Sequence, residues 1–108
     1  MKKLLLAVIV SLSTISTAAL AEIKVGIILG FTGPIETLTP AMRDSAKLAF
    51  AEVSDSGALL GGETITPLIG DSTCVDSDAA VAAAEMLVND GVAAIMGADC
   101  SGVTGAIA

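Results

Sequence analysis

Three short apolar runs, at residues 23–29, 63–70 and 92–96, are separated by two longer segments whose apolar positions recur with helical spacing. The first run is almost wholly apolar, as expected of a strand covered on both faces of a parallel sheet. The second alternates polar with apolar residues; Pro67 within it cannot donate to a ladder, which predicts an edge strand or one that begins pairing late. The third, Val92 to Met96, is too short for a globular helix and is flanked by glycines, so it reads as a buried strand. Between the first two runs, Met42, Ala46, Ala49, Phe50 and Val53 fall at i, i+4, i+7, i+8 and i+11 and predict a helix with one apolar stripe. Thr39 is placed to be its N-cap and Pro40 its first residue. Between the second and third runs, Ala80, Ala83, Ala84, Leu87 and Val88 form the stripe of a second helix, capped by Asp76 or Ser77 and closed by Gly91. Residues from Gly102 onward read as the first turn of a third helix.

Strand, helix, strand, helix, strand, helix at this spacing predicts an α/β fold: a parallel sheet joined by right-handed crossovers, with helices on both faces. In such sheets ligands bind beyond the carboxyl ends of the strands, where strand order reverses. The turns placed to meet there are residues 30–34, after the first strand, and residues 97–104, after the third.

The 108 residues leave room for one domain or a piece of a larger one. Residues 1–21 read as something else. Lys2 and Lys3 make a positive start, residues 4–12 an apolar region, and Ala19-Leu20-Ala21 a small-residue cleavage site, the pattern of a secretory signal peptide cut after Ala21. The hydroxyls at Ser11, Ser13, Thr14, Ser16 and Thr17 interrupt the apolar run before it could cross a bilayer core of about 30 Å, which argues against a membrane anchor. The mature part, residues 22–108, then carries Lys24, Arg43 and Lys47 against all 12 acidic residues. Such a surface repels phosphate backbones, so no nucleic-acid partner is expected. Phe31 and Phe50 are the only aromatic residues, which removes stacking surfaces for single strands as well.

The chain has no histidine, so neither a Ser-His-Asp triad nor a histidine metal site can be assembled from it. The Gly30-Phe31-Thr32-Gly33 turn follows a strand but lacks the spacing of a dinucleotide fingerprint. Asp71, Asp76 and Asp78 do not have the every-second-residue spacing of a calcium loop and read as solvated turn and cap residues. No catalytic residue, metal or cofactor is expected. Cys74 and Cys100 follow the second and third strands, and in an exported protein a single such pair forms a disulfide; the alternative is two free buried thiols. Closing that loop stabilises a fold by about 3.5 kcal/mol in the chain-entropy model. Ser101 and Thr104, three residues apart, share one face of a helix start. A hydroxyl there either caps its own helix or binds an anion such as a carboxylate.

Cys74, the Asn89-Asp90-Gly91-Val92 helix end, Gly97, Cys100-Ser101 and Thr104, together with Gly26, Gly33-Pro34 and Gly61-Gly62, resemble in order and spacing the periplasmic leucine/isoleucine/valine-binding proteins. These are the substrate-binding subunits of branched-chain amino acid ABC transporters. The resemblance covers residues 23–108. It implies a type I periplasmic binding lobe, incomplete, within a two-lobed protein that closes on its ligand by a hinge and presents it to membrane permease subunits. It further implies a disulfide between Cys74 and Cys100, and ligand contacts at Ser101, which meets an amino acid's α-carboxylate, at Thr104, and at Gly33 and Leu38. Leu38 stands where branched-chain binders carry an aromatic residue, so the side-chain pocket differs. Residues 22–108 would be the opening part of an N-terminal lobe, with its second wall elsewhere. A ligand-sensing domain of a regulatory protein shares this fold and is the alternative; an enzyme of doubly wound fold would need a catalytic base that these residues do not supply.

Overall fold

The computed structural model describes residues 21–108; the signal-peptide reading of residues 1–21 lies, but for Ala21, outside them. In chain order the elements are β1 (Glu22–Leu29), α1 (Thr39–Asp55), β2 (Thr64–Asp71), α2 (Ser77–Asn89), β3 (Ala94–Met96) and α3 (Ser101–Ile107). The strands form one parallel sheet in the order β2-β1-β3. This is the expected fold class, an α/β arrangement of three parallel strands and three helices.

The central position of β1 follows from its residues. Ile27, Ile28 and Leu29 are fully buried, so both faces of the strand are covered. Ile28 lies in a cluster with Ala84 and Leu87 of α2, flanked by Leu68, Ile95 and Ile107. Two glycines let α2 come this close. A Cβ on Gly26 would stand 3.0 Å from a Leu87 methyl, and one on Gly70 3.1 Å from the same group. Ile27 and Leu29 point to the opposite face, the side of α1. Pro67 occupies an edge strand, as expected, and β2 pairs with β1 from its first residue, Thr64 opposite Glu22.

α1 departs from expectation in two ways. Thr39 is not the N-cap; Leu38 is, without a side-chain bond. Thr39 is instead fully buried, and its hydroxyl donates to the Gly30 carbonyl at 3.0 Å. The buried face is also rotated: Thr39, Arg43, Ala46, Phe50 and Ser54 are its less exposed residues, while Met42, Ala49 and Val53 are exposed. Polar anchors at both ends set that rotation, because the Ser54 hydroxyl accepts from the Ile65 amide at 2.9 Å just as Thr39 is tied to Gly30.

α2 is closer to its sequence pattern. Asp76 is the N-cap, accepting from the Asp78 and Ala79 amides at 3.0 Å. At the other end Gly91, at φ 81, lets the Gly91 amide reach Val88 and the Val92 amide reach Leu87, a Schellman closure. Ala80, Ala84 and Leu87 are buried, but Val88 is 62% exposed and leaves the stripe. β3 is shorter than expected and is not buried: it spans only three residues, and Ala94 and Met96 are exposed because β3 is the second edge of the sheet among the described residues. No helix of the described residues is long and apolar enough to cross a membrane.

After β3 the chain turns at Gly97, where φ is 121 and an added Cβ would run into the Ile28 carbonyl. Both the conformation and the close approach demand glycine there. Gly97→Ala is expected to cost about 2 kcal/mol or more of stability in denaturant unfolding; an unchanged midpoint would contradict the packing described.

Candidate functional site

Because β2 and β3 flank β1, the connections out of β1 and back past it run in opposite lateral directions, and the strand order reverses at the carboxyl end of β1. Three turns converge on this rim: residues 30–34 after β1, 71–75 after β2 and 97–101 after β3. Each leaves backbone amides beyond the sheet ladder that need acceptors.

Two carboxylates meet that need. Asp71, the last residue of β2, accepts at Oδ1 from the amides of Phe31 (2.9 Å), Thr32 (3.3 Å) and Thr73 (2.9 Å), and at Oδ2 from the Thr32 hydroxyl (2.7 Å). Burial works against its charge, but the Thr32 hydroxyl and the amides of Thr73, Thr32 and Phe31 outweigh it and hold the Asp71 carboxyl below its usual range. Asp71 is therefore not the merely solvated turn residue its sequence context suggests. Asp99 plays the corresponding part for β3: its two oxygens accept from the Gly30 amide at 3.0 and 3.3 Å, and the buried Ser72 hydroxyl donates to it at 3.4 Å. The turns after β1 and β3 thus do meet, as the strand order requires.

A covalent link reinforces the rim. Cys74 and Cys100 form a disulfide, with Cα atoms 5.2 Å apart, joining the turns after β2 and β3. Reaching it strains the chain: Thr73 and Cys74 lie at φ 58 and 71, and the Cys74 amide closes on the Ser72 carbonyl at 2.7 Å. A β-branched residue at positive φ is uncommon and is held there by its surroundings. In this case the Asp71 carboxylate and the disulfide lie on either side of it.

The residues singled out from sequence are distributed around this rim. Ser101 is the first residue of α3 and not its cap; Cys100, in an extended conformation, occupies the N-cap position and makes no side-chain cap bond. The Ser101 side chain is exposed and makes no hydrogen bond among the described residues. Thr104 is half-buried, and its hydroxyl faces the carbonyls of Ala98 (3.0 Å) and Cys100 (2.9 Å), bracing the turn that presents Ser101. Gly33, at φ 95, packs against the turn after β2, since a Cβ there would stand 2.5 Å from the Thr73 carbonyl oxygen. Leu38 is 63% exposed just before α1. Phe31 is half-buried under the Arg43 guanidinium, 5.9 Å from its ring centre. A separate groove of about 430 Å³ lies away from the rim, between α2 and α3 beside β3, lined by Val81, Val88, Ile95 and Ile107. It is a mainly apolar hollow holding none of the rim carboxylates or hydroxyls. Among the described residues no cluster of three metal-binding side chains occurs.

Asp71 reads from sequence as a solvated turn residue, and none of Asp99, Ser72 and Thr32 is singled out there. The one signal for the carboxylates is an acidic residue at or just past a strand's carboxyl end; their partners are 40 and 69 residues away.

Residues 22–108 match the family model for periplasmic binding proteins. The chain belongs to that family. It is similar to the Leu/Ile/Val-binding protein BraC3 of Rhizobium johnstonii, 30% identical over 101 residues, 94% of this chain and 27% of the relative. It is also 30% identical, over 102 residues, to a Leu/Ile/Val-binding protein of Citrobacter freundii and a Leu/Ile/Val/Thr-binding protein of Salmonella typhimurium, again covering 27% of each. The chain thus spans about a quarter of the length of these relatives.

The lowered Asp71 carboxyl gives a pH signature. A group whose acidity is strengthened by folding contributes stability above its unfolded value, near 3.8, and that contribution is lost as pH falls through the lower folded value. Asp71→Asn is expected to cost about 2 kcal/mol near neutrality and to flatten the loss of stability below about pH 4. Parallel acid-unfolding curves for the two proteins would contradict the assignment.

Proposed function

We propose that this chain is the N-terminal part of the first lobe of a periplasmic substrate-binding protein that captures branched-chain or closely related amino acids for an ABC transporter. The Ser101 hydroxyl donates to the ligand's α-carboxylate at the rim. Thr104 holds the turn behind it and lends its oxygen to the same region, while Gly33 and Leu38 contribute the opposite border. A second lobe closes over this wall, and permease subunits in the membrane receive the ligand. The protein acts in the periplasm after cleavage behind Ala21, and it binds without catalysing a reaction.

The observation that carries this reading is the meeting of the β1 and β3 turns at the strand-order reversal, with an exposed, unengaged hydroxyl at Ser101 beside it. An α-carboxylate needs donors, and Asp71 and Asp99 already have theirs, so the rim carboxylates do not compete for Ser101. Similarity to three Leu/Ile/Val-binding proteins supports the ligand class. Leu38 leaves an aliphatic border suited to an aliphatic side chain.

Calorimetry on the full-length protein tests this. L-leucine, L-isoleucine or L-valine is expected to bind, and Ser101→Ala to weaken the tightest of them by about tenfold or more, the worth of one hydrogen bond to a charged group. Equal affinity in the variant would return Ser101 to a purely local role.

A further inference from the structure

Gly30 is held from three sides. Its amide donates to the Asp99 carboxylate, its carbonyl accepts from the buried Thr39 hydroxyl, and a Cβ on it would lie 3.2 Å from the Cβ of Cys74. It is the residue at which all three rim turns and the start of α1 touch. Of these contacts only the Asp99 bond reaches the chain that carries Ser101, since Asp99 directly precedes Cys100 and Ser101.

Other contacts hold that segment without tying it to the turn after β1. The disulfide fixes Cys100 near Cys74, and the Thr104 hydroxyl, facing the Ala98 and Cys100 carbonyls, braces the segment against its own helix. The 97–101 turn passes from a glycine at φ 121 to an extended Cys100 with no side-chain cap behind it. Asp99 supplies the side-chain tie from this segment to the turn after β1. Its carboxylate is half-buried and bridges Gly30, 69 residues away, to Ser72, 27 residues away. Charge suits this bridge, because a carboxylate has only acceptors to set against an amide and a hydroxyl.

We propose that Asp99 is a positioning residue: by clamping Gly30 and Ser72 together it sets the direction in which Ser101 meets the ligand. The clamp acts through Ser101 and makes no ligand contact itself. This rests on the amino acid-binding reading given above for its affinity consequences, but the clamp itself has a readout that needs no ligand.

The test uses the full-length, disulfide-linked protein with Asp99→Ala, Asp99→Asn and each of these combined with Ser101→Ala, L-leucine being the probe. In Asp99→Ala, exchange of the Gly30 amide hydrogen is expected to quicken about tenfold or more, and the Kd for L-leucine to rise about tenfold. Asp99→Asn keeps an acceptor for Gly30 and stays within about threefold of wild type in both. Because Asp99 works through Ser101, Ser101→Ala costs clearly less affinity in the Asp99→Ala background than in wild type. An equal cost in both backgrounds, or an Asn variant as impaired as the Ala variant, overturns the proposal. Should the wild-type protein take up no L-leucine, the functional reading fails separately. Gly30 exchange then decides the clamp, an unchanged rate refuting it and a tenfold increase confined to Asp99→Ala upholding it.

Discussion

β1 is hydrogen-bonded along both edges and covered on both faces, and the arrangement of the rim depends on that confinement. With β2 on one side and β3 on the other, the turn after β1 lies between the two other turns at the same end of the sheet. Parallel pairing brings all three carboxyl ends together. The glycines at 26 and 70 let Leu87 of α2 pack closely on the sheet, and Gly97 lets the turn after β3 lie against the Ile28 carbonyl.

That confinement creates a problem of unpaired amides, and its solution shapes the rim. Past the sheet ladder, Gly30, Phe31, Thr32 and Thr73 present N–H groups close together. Two carboxylates take up these donors, one at the end of β2 and one after β3. The strongly acidic balance of the chain therefore has a local use at the rim, where negative charge is matched by oriented dipoles instead of by lysines or arginines. The Cys74–Cys100 disulfide adds a covalent tie between the two turns that carry these acids. Among the hydroxyls of this rim, those of Thr32, Ser72, Thr73 and Thr104 are engaged within the protein, and the exposed Ser101 hydroxyl has no hydrogen bond among the described residues.

Much of this could be read from the chain because it rests on local periodicity. The apolar run of β1, the alternation in β2 with its edge proline, and the alanine stripe and glycine closure of α2 each carry their signal within a short stretch, and the cysteine pair is legible because the chain has just two. What could not be read depends on distant partners. The α1 face is turned by hydrogen bonds from Thr39 to Gly30 and from Ile65 to Ser54, so Met42 and Val53 are exposed despite their helical spacing. Thr39 matched an N-cap by type, yet its hydroxyl serves a strand end. Ser101 lies one residue inside α3 because the extended conformation persists through Cys100. Asp71 and Asp99 are ordinary turn residues in one dimension and become the organising acceptors only when strands 40 and 69 residues apart meet.

The proposed binding mode places the ligand at the carboxyl-end rim and not in the apolar groove between α2 and α3. The most direct measurement is the change in backbone amide chemical shifts of the isotope-labelled full-length protein on addition of L-leucine. Within these residues, shifts are expected to concentrate at 30–33 and 97–104, with Val81, Val88 and Ile107 unmoved. Shifts centred on those groove residues, with the rim unchanged, would contradict it.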